Sequence, residues 1–225
     1  YEYPEIEHIE LPKRLSLEGT YNLVSTCIST VQNDSSLGLT GRGVIVAIID
    51  SGIDYTHPDF RNEDGTSLIL YMWDQTANGP PPAGFFNGRE YTQAELNAAL
   101  QTEFPTTIIP NIDTNGHGTA VAGVAVGNGR ASRGDNKGVA TEADIIVVKL
   151  GIRGYESFAR TTELMRAIKY VMTKAQQLAK PIAINISFGT NNGSHLGDSL
   201  FETYISDIAS EWKTSIIVPT GNEGY

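Results

Sequence analysis

Residues 43–60 read GVIVAIIDSGIDYTHPDF, and the first half of that stretch decides the fold. From Val44 to Asp50 the chain is almost continuously apolar and β-branched, then stops at a carboxylate followed by Ser51 and Gly52. Such a run is a strand buried on both faces, which fits a parallel sheet covered by helices. In open α/β sheets functional groups collect outside the carboxyl ends of the strands, so Asp50 is placed where a site would be.

Working outward, strand and helix patterns alternate. Ser67–Asp74 reads as a strand, Thr92–Gln101 as a short helix with a Thr cap and Glu95 three residues later, and His117–Val126 as a helix of small apolar residues. Ala143–Leu150 is a strand, and Thr161–Leu178 carries apolar residues at helical spacing. A strand over Pro181–Ser187, a helix over Ser199–Trp212 and a strand over Ser215–Pro219 complete the series. The expected fold class is α/β, with a mainly parallel sheet and helices on both faces. Before the central strand, Thr20–Gln32 has helical periodicity, and Ile6–Leu11 alternates as an extended segment outside the core. Between Asp74 and Thr114 a proline- and glycine-rich loop, ANGPPPAGFFNG, belongs to what reads as a surface insertion at about 75–113.

Composition removes several function classes. A net charge of −10 repels phosphates, so neither nucleic acid nor an anionic membrane is an expected partner. No apolar run approaches the ~20 residues needed to span a bilayer. Cys27 is the single cysteine, which excludes an internal disulfide and any multi-thiolate metal site. Nucleotide binding fails on position: Gly41-Arg42-Gly43 precedes the central strand instead of following it, and in GRASRG the last glycine is followed by Asp135 where a phosphate loop needs Lys.

Three motifs carry chemistry. Asp50 closes the central strand. Asn115-Gly116-His117-Gly118-Thr119 opens the small-residue helix, where flanking glycines give other groups close access to His117 and the helix N-terminus disfavours the imidazolium. The remaining histidines, His8, His57 and His195, have no such setting. Thr220-Gly221-Asn222-Glu223-Gly224 follows the last strand, and its amide suits a developing oxyanion.

Together these motifs resemble the subtilase family of serine endopeptidases (peptidase S8), over about Gly41 to Gly224. IIDSGID is similar to the family's aspartate motif, NGHGTAVAG to its histidine motif and TGNEG to the segment bearing its oxyanion asparagine. The resemblance implies a subtilisin-like fold in which Asp50 orients His117, His117 is general base and acid, and Asn222 stabilises the oxyanion. It also places Ser187-Phe188-Gly189 where an extended polypeptide substrate pairs by strand addition, with Gly151 near the opposing substrate strand. Asp59 resembles a family calcium ligand, although one carboxylate makes no cage of six to eight oxygens. No cofactor is required by this chemistry, and calcium enters only as a structural ion.

The family's nucleophile lies in a Gly-Thr-Ser-x-Ala segment, which does not occur in these 225 residues. In the family that serine follows the oxyanion asparagine by roughly 65 residues. It is therefore expected outside this chain, which alone would be inactive. Ser51 belongs to the aspartate turn and is no substitute.

YMWDQT, FFNGREYT and NISFGTNNGSHLGDSLFE resemble a clostridial branch that includes spore-germination proteases. In that branch a propeptide precedes the catalytic domain, and IEHIELPKRL is similar to its C-terminal part. The resemblance implies that residues 1–18 are a propeptide-like or N-terminal extension expected in the cleft as a cleaved product or an inhibitor, that 19–225 are the N-terminal portion of the catalytic domain, and that the protein is secreted or spore-associated. The competing expectation is a non-catalytic regulatory or peptide-binding protein on the same fold, distinguished by the absence of a downstream Gly-Thr-Ser-x-Ala.

Overall fold

A computed structural model describes residues 16–17, 28–34, 36–110, 113–151, 160–190 and 196–221. In chain order the elements are β1 (Ser16–Leu17), α1 (Ile28–Asn33), β2 (Ile45–Asp50), β3 (Ile69–Asp74), β4 (Arg89–Thr92), α2 (Gln93–Leu100) and α3 (Pro105–Ile108). They continue with α4 (His117–Val126), β5 (Asp144–Lys149), α5 (Thr161–Leu178), β6 (Ile182–Ile186), β7 (Phe188–Gly189), α6 (Leu200–Trp212) and β8 (Ser215–Ile217). Six strands form one sheet in the order β4-β3-β5-β2-β6-β8. All neighbours run parallel except β3 and β4.

The apolar run of β2 is continuous because both its faces are covered. Ile45, Ala47 and Ile49 pack in one core with Leu164, Ile168 and Val171 of α5. Ile48 packs in a second core, on the other face, with Ala122 and Val126 of α4 and Leu96 of α2. The same split divides β5, with Ile146 and Val148 on the α5 side and Ile145 and Val147 on the α4 side. Each fully buried isoleucine contributes about 1.5–3 kcal/mol of transfer free energy. Two-faced burial therefore makes β2 a firmly held platform for a site at its end.

Residue parity then orients that site. Successive side chains of a strand alternate between faces, so Asp50 shares the side of Ile48, the side on which α4 packs. The carboxylate consequently emerges toward the helix that begins with His117.

The expected element types hold throughout the described residues, with ends displaced by a residue or two. Thr92 caps α2 as its sequence suggests, its side chain accepting the Glu95 N–H while Glu95 accepts the Thr92 N–H. Only Ile28–Asn33 of the helix expected over Thr20–Gln32 is described; Cys27 and the alternating segment Ile6–Leu11 lie outside the described residues.

The stretch 75–113 is more than a surface excursion, because it returns to the sheet. β4 adds an antiparallel edge strand to β3, and Tyr91, Leu96, Ala99 and Ile109 are buried in the second core. Its proline-rich loop folds back as well. Phe85 packs 4.8 Å from Trp73, whose indole N–H donates to the Asn87 carbonyl at 3.1 Å. Apolar burial is what retrieves the insertion, and its loop-like composition concealed that.

Candidate active site

The carboxyl end of β2 and the amino end of α4 meet at one point. Asp50 is completely buried, and its Oδ1 accepts the Ser51 N–H at 2.7 Å and lies 2.8 Å from His117 Nδ1. Burial pushes the Asp50 carboxyl above its ordinary value, opposed by the hydrogen bonds to His117 and Ser51. Among the described residues Asp50 Oδ2 has no hydrogen-bond partner, so the local geometry directs Asp50 through one oxygen. The imidazole of His117 is 19% exposed, against 0% for the Asp50 side chain. An inner acid therefore backs an outer base.

This contact fixes the tautomer. A carboxylate accepts, so Nδ1 carries the proton that points at Asp50, and Nε2 is the lone-pair nitrogen on the other side of the ring. Such an arrangement can take a proton at Nε2 and hold the resulting imidazolium against a buried negative charge.

Both glycines beside His117 are required, for different reasons. Gly116 is the residue before α4 and has φ +82°, the left-handed region that costs L side chains roughly 1–2 kcal/mol. Gly118 makes a close approach instead. A Cβ there would lie 2.2 Å from the Gly52 carbonyl oxygen and 3.1 Å from Asp50 Oδ1. Only a residue without a side chain lets the first turn of α4 press against the turn after β2.

That junction is wired by groups that sequence reasoning missed. Asp113 is buried and accepts the Ser51 hydroxyl at 2.8 Å, the Gly116 N–H at 3.0 Å and both the N–H and hydroxyl of Thr119 at 2.9 Å. The legible signal was an Asp just ahead of the expected helix start, the end at which a negative charge is favoured. Ser51 is engaged in this wiring, which accords with its place in the aspartate turn.

The other expected positions distribute as follows. Ser187 is buried, and its hydroxyl accepts the Asn185 side-chain amide at 2.8 Å. Phe188 and Gly189 form β7 and pair antiparallel with β1, Leu17 opposite Phe188 and Ser16 opposite Gly189. Gly151 follows β5 and is buried; its N–H donates inward to Gln75 Oε1 at 3.3 Å, and a Cβ would meet Thr76 Cγ2 at 2.3 Å. Asn222 lies outside the described residues. Asp59 clips two turns together, its Oδ1 accepting the Ala131 N–H at 2.7 Å, with His57 Nδ1 4.0 Å from its other oxygen. Among the described residues no group of three or more His, Cys, Asp or Glu could hold a metal ion.

Comparison with known proteins identifies the family and the fold. The model of the subtilase family, Peptidase_S8, matches residues 41–225. A subtilisin of Bacillus sp. (strain TA39) is 27% identical over 215 residues, covering 92% of this chain and 42% of its own length. The minor extracellular protease Vpr of Bacillus subtilis (strain 168) is 30% identical over 119 residues, covering 52% of this chain and 11% of its own. The structure of the Clostridium perfringens CspB protease superposes with a TM-score of 0.80 at 40% identity, over 90% of this chain and 40% of that one. The chain thus spans about two fifths of the lengths of the subtilisin and of the CspB structure. With the sheet, the aspartate–histidine pair and a family match over four fifths of its residues in agreement, the chain belongs to the subtilase family.

Proposed function

We propose that the protein carrying this chain is a serine endopeptidase, hydrolysing peptide bonds through Asp50, His117 and a serine beyond residue 225. The observation that carries this reading is the 2.8 Å contact between a wholly buried Asp50 and a partly exposed His117. A buried acid behind an accessible imidazole serves a base that must become charged and then discharge.

On this reading the serine hydroxyl proton passes to His117 Nε2 as Oγ attacks the scissile carbonyl. Asp50 stabilises the imidazolium, and Asn222 donates to the oxyanion of the tetrahedral intermediate. His117 then returns the proton to the leaving amine, which departs as the acyl-enzyme forms, and a water molecule activated by the same nitrogen releases the acid. An oxyanion donor of this kind is worth about 2.7–4 kcal/mol in subtilisin. No step calls for a cofactor. The substrate is a polypeptide in extended form, added as a strand against Phe188 and Gly189.

The pairing of β1 with β7 supports a second element of the reading. Residues 1–18 act as the protein's own propeptide, with Ser16 and Leu17 held where a substrate strand would lie. Secretion is the expected destination, since the relatives include an extracellular protease, and spore association is the narrower form of that expectation. The same occupied strand position is also the one observation favouring a regulator that holds a peptide without cutting it.

A serine-directed fluorophosphonate probe separates the two. The native-length protein, with and without residues 1–18, is labelled and the modified peptide mapped. The expected result is a labelled serine beyond residue 225, lost in His117→Ala. A folded protein that takes no label in either form would establish the regulatory reading instead.

A further inference from the structure

Asp113 stands four residues before His117 and is 8% exposed. Each of its oxygens takes two hydrogen bonds, Oδ1 from the Ser51 hydroxyl and the Gly116 N–H, Oδ2 from the N–H and hydroxyl of Thr119. Burial raises this carboxyl, but the donors from Thr119, Ser51 and Gly116 outweigh it and hold it below its ordinary value. The group is therefore an anion at neutral pH, and hydrogen bonds to an anion are the stronger kind.

Helix capping accounts for part of this. The N–H groups of Gly116 and Thr119 are donors left without intrahelical acceptors at the start of α4, and a carboxylate at that end satisfies them. Capping does not account for the other two bonds, whose donors pass the constraint onward. The Ser51 hydroxyl that donates to Asp113 also accepts the Gly118 N–H at 3.0 Å, and the Ser51 N–H donates to Asp50 Oδ1 at 2.7 Å. The Thr119 hydroxyl that donates to Asp113 accepts the Asp54 N–H at 2.9 Å. One carboxylate thereby ties the turn after β2 to the first turn of α4 from both sides, and Asp50 and His117 are the residues those two turns carry.

We propose that Asp113 is a positioning residue for the Asp50–His117 pair, acting through Ser51 and Thr119 to set the distance and angle at which Asp50 Oδ1 meets His117 Nδ1. The proposal rests on the peptidase reading for its consequence, but the geometry it asserts is measurable without turnover. Asp113 touches neither substrate nor the moving proton. Its effect is on the rate at which a correctly bound substrate reacts, because misplacement of about 1 Å by a change remote from the chemistry can cost ~10²-fold.

The test uses the native-length protein with ¹⁵N-labelled histidine. An imidazole Nδ1 proton held against a buried carboxylate gives a downfield, slowly exchanging resonance, assigned here by its loss in His117→Ala. Asp113→Asn and Ser51→Ala are each expected to shift and broaden it, Asp113→Asn the more because it also weakens the Thr119 arm, and the double variant does no more than Asp113→Asn alone. Ser51→Thr keeps the hydroxyl and is expected to preserve the resonance. In peptide hydrolysis, Asp113→Asn and Ser51→Ala lower kcat about 10- to 100-fold with KM changed by less than about twofold, and Ser51→Thr restores kcat. Should Asp113→Asn fail to fold, Ser51→Ala decides, since it cuts the arm that reaches Asp50 while leaving Gly116 and Thr119 on the Asp113 carboxylate. An unchanged resonance in folded Ser51→Ala or Asp113→Asn, or its absence from the wild type, would overturn the proposal. A wild type that hydrolyses nothing sinks the peptidase reading, and the resonance alone then decides the role of Asp113.

Discussion

Gly118→Ala tests the closest approach in the site. The added Cβ would lie 2.2 Å from the Gly52 carbonyl oxygen, roughly 1 Å inside the about 3.3–3.6 Å of a close C···O contact. The obstructing atom is backbone in the turn just after β2, so relief must come from α4 or from the turn itself. Opposing this, alanine in a helix is favoured over glycine by up to about 1 kcal/mol. Overpacking in a close-packed region costs about 1–3 kcal/mol, so after that gain the net loss is about 0–2 kcal/mol. For a domain of this size that is a fall in Tm of up to about 8 °C. Gly123→Ala, in the same helix, is the control. Its Cβ would meet nothing within 4 Å, so only the helical gain remains and Tm rises by about 1–4 °C. Thermal unfolding of both variants by circular dichroism, with kcat measured alongside, gives the comparison. Because the clash also reaches Asp50 Oδ1 at 3.1 Å, Gly118→Ala should lose about 100-fold in kcat, while Gly123→Ala keeps it. A Gly118→Ala variant as stable and as active as the wild type would refute the idea that this glycine exists for the approach of α4 to the turn.

Other expectations follow from the same geometry. Burial lifts the Asp50 carboxyl above the ordinary Asp value of 3.8, so the folded state holds its proton more tightly than the unfolded chain does. Such a group costs stability above its folded pKa and nothing below the unfolded one. Asp50→Asn should therefore raise Tm at pH 7, with the gain vanishing as the pH falls through the Asp50 titration toward 3.8; a gain that grows on acidification would contradict the burial argument. Asn222→Ala should lower kcat by about 100- to 1,000-fold with little change in KM, because the oxyanion exists only in the transition state. A raised KM with intact kcat would move Asn222 out of that role. If β1 fills the substrate strand position, a peptide copying residues 9–18 should inhibit the protein lacking residues 1–18 competitively, and non-competitive inhibition would place it elsewhere.

Much of this molecule was legible in its sequence because its physics is local. The run from Val44 to Asp50 shows that a strand is buried on both sides, and Thr92 with Glu95 announces a capped helix. The small residues of His117–Val126 mark a helix that packs closely on a sheet. Asp50 and His117 could be singled out because each closes or opens such an element at a sharp turn. The segment 75–113 misled, since proline and glycine content reports backbone conformation and says nothing of Phe85 and Tyr91 reaching the core.

What only the tertiary structure decided is which of these residues meet. Asp50 and His117 are 67 positions apart, and their contact depends on the parity of β2, on which face α4 covers, and on Gly118 admitting that helix to the turn. The strand that takes up β1, and the carboxylate of Asp113 that ties two turns together, are likewise products of packing. Local composition sets what each segment can become. Distances between segments are set by the shape in which two apolar faces of one sheet are covered together, and no single segment contains that information.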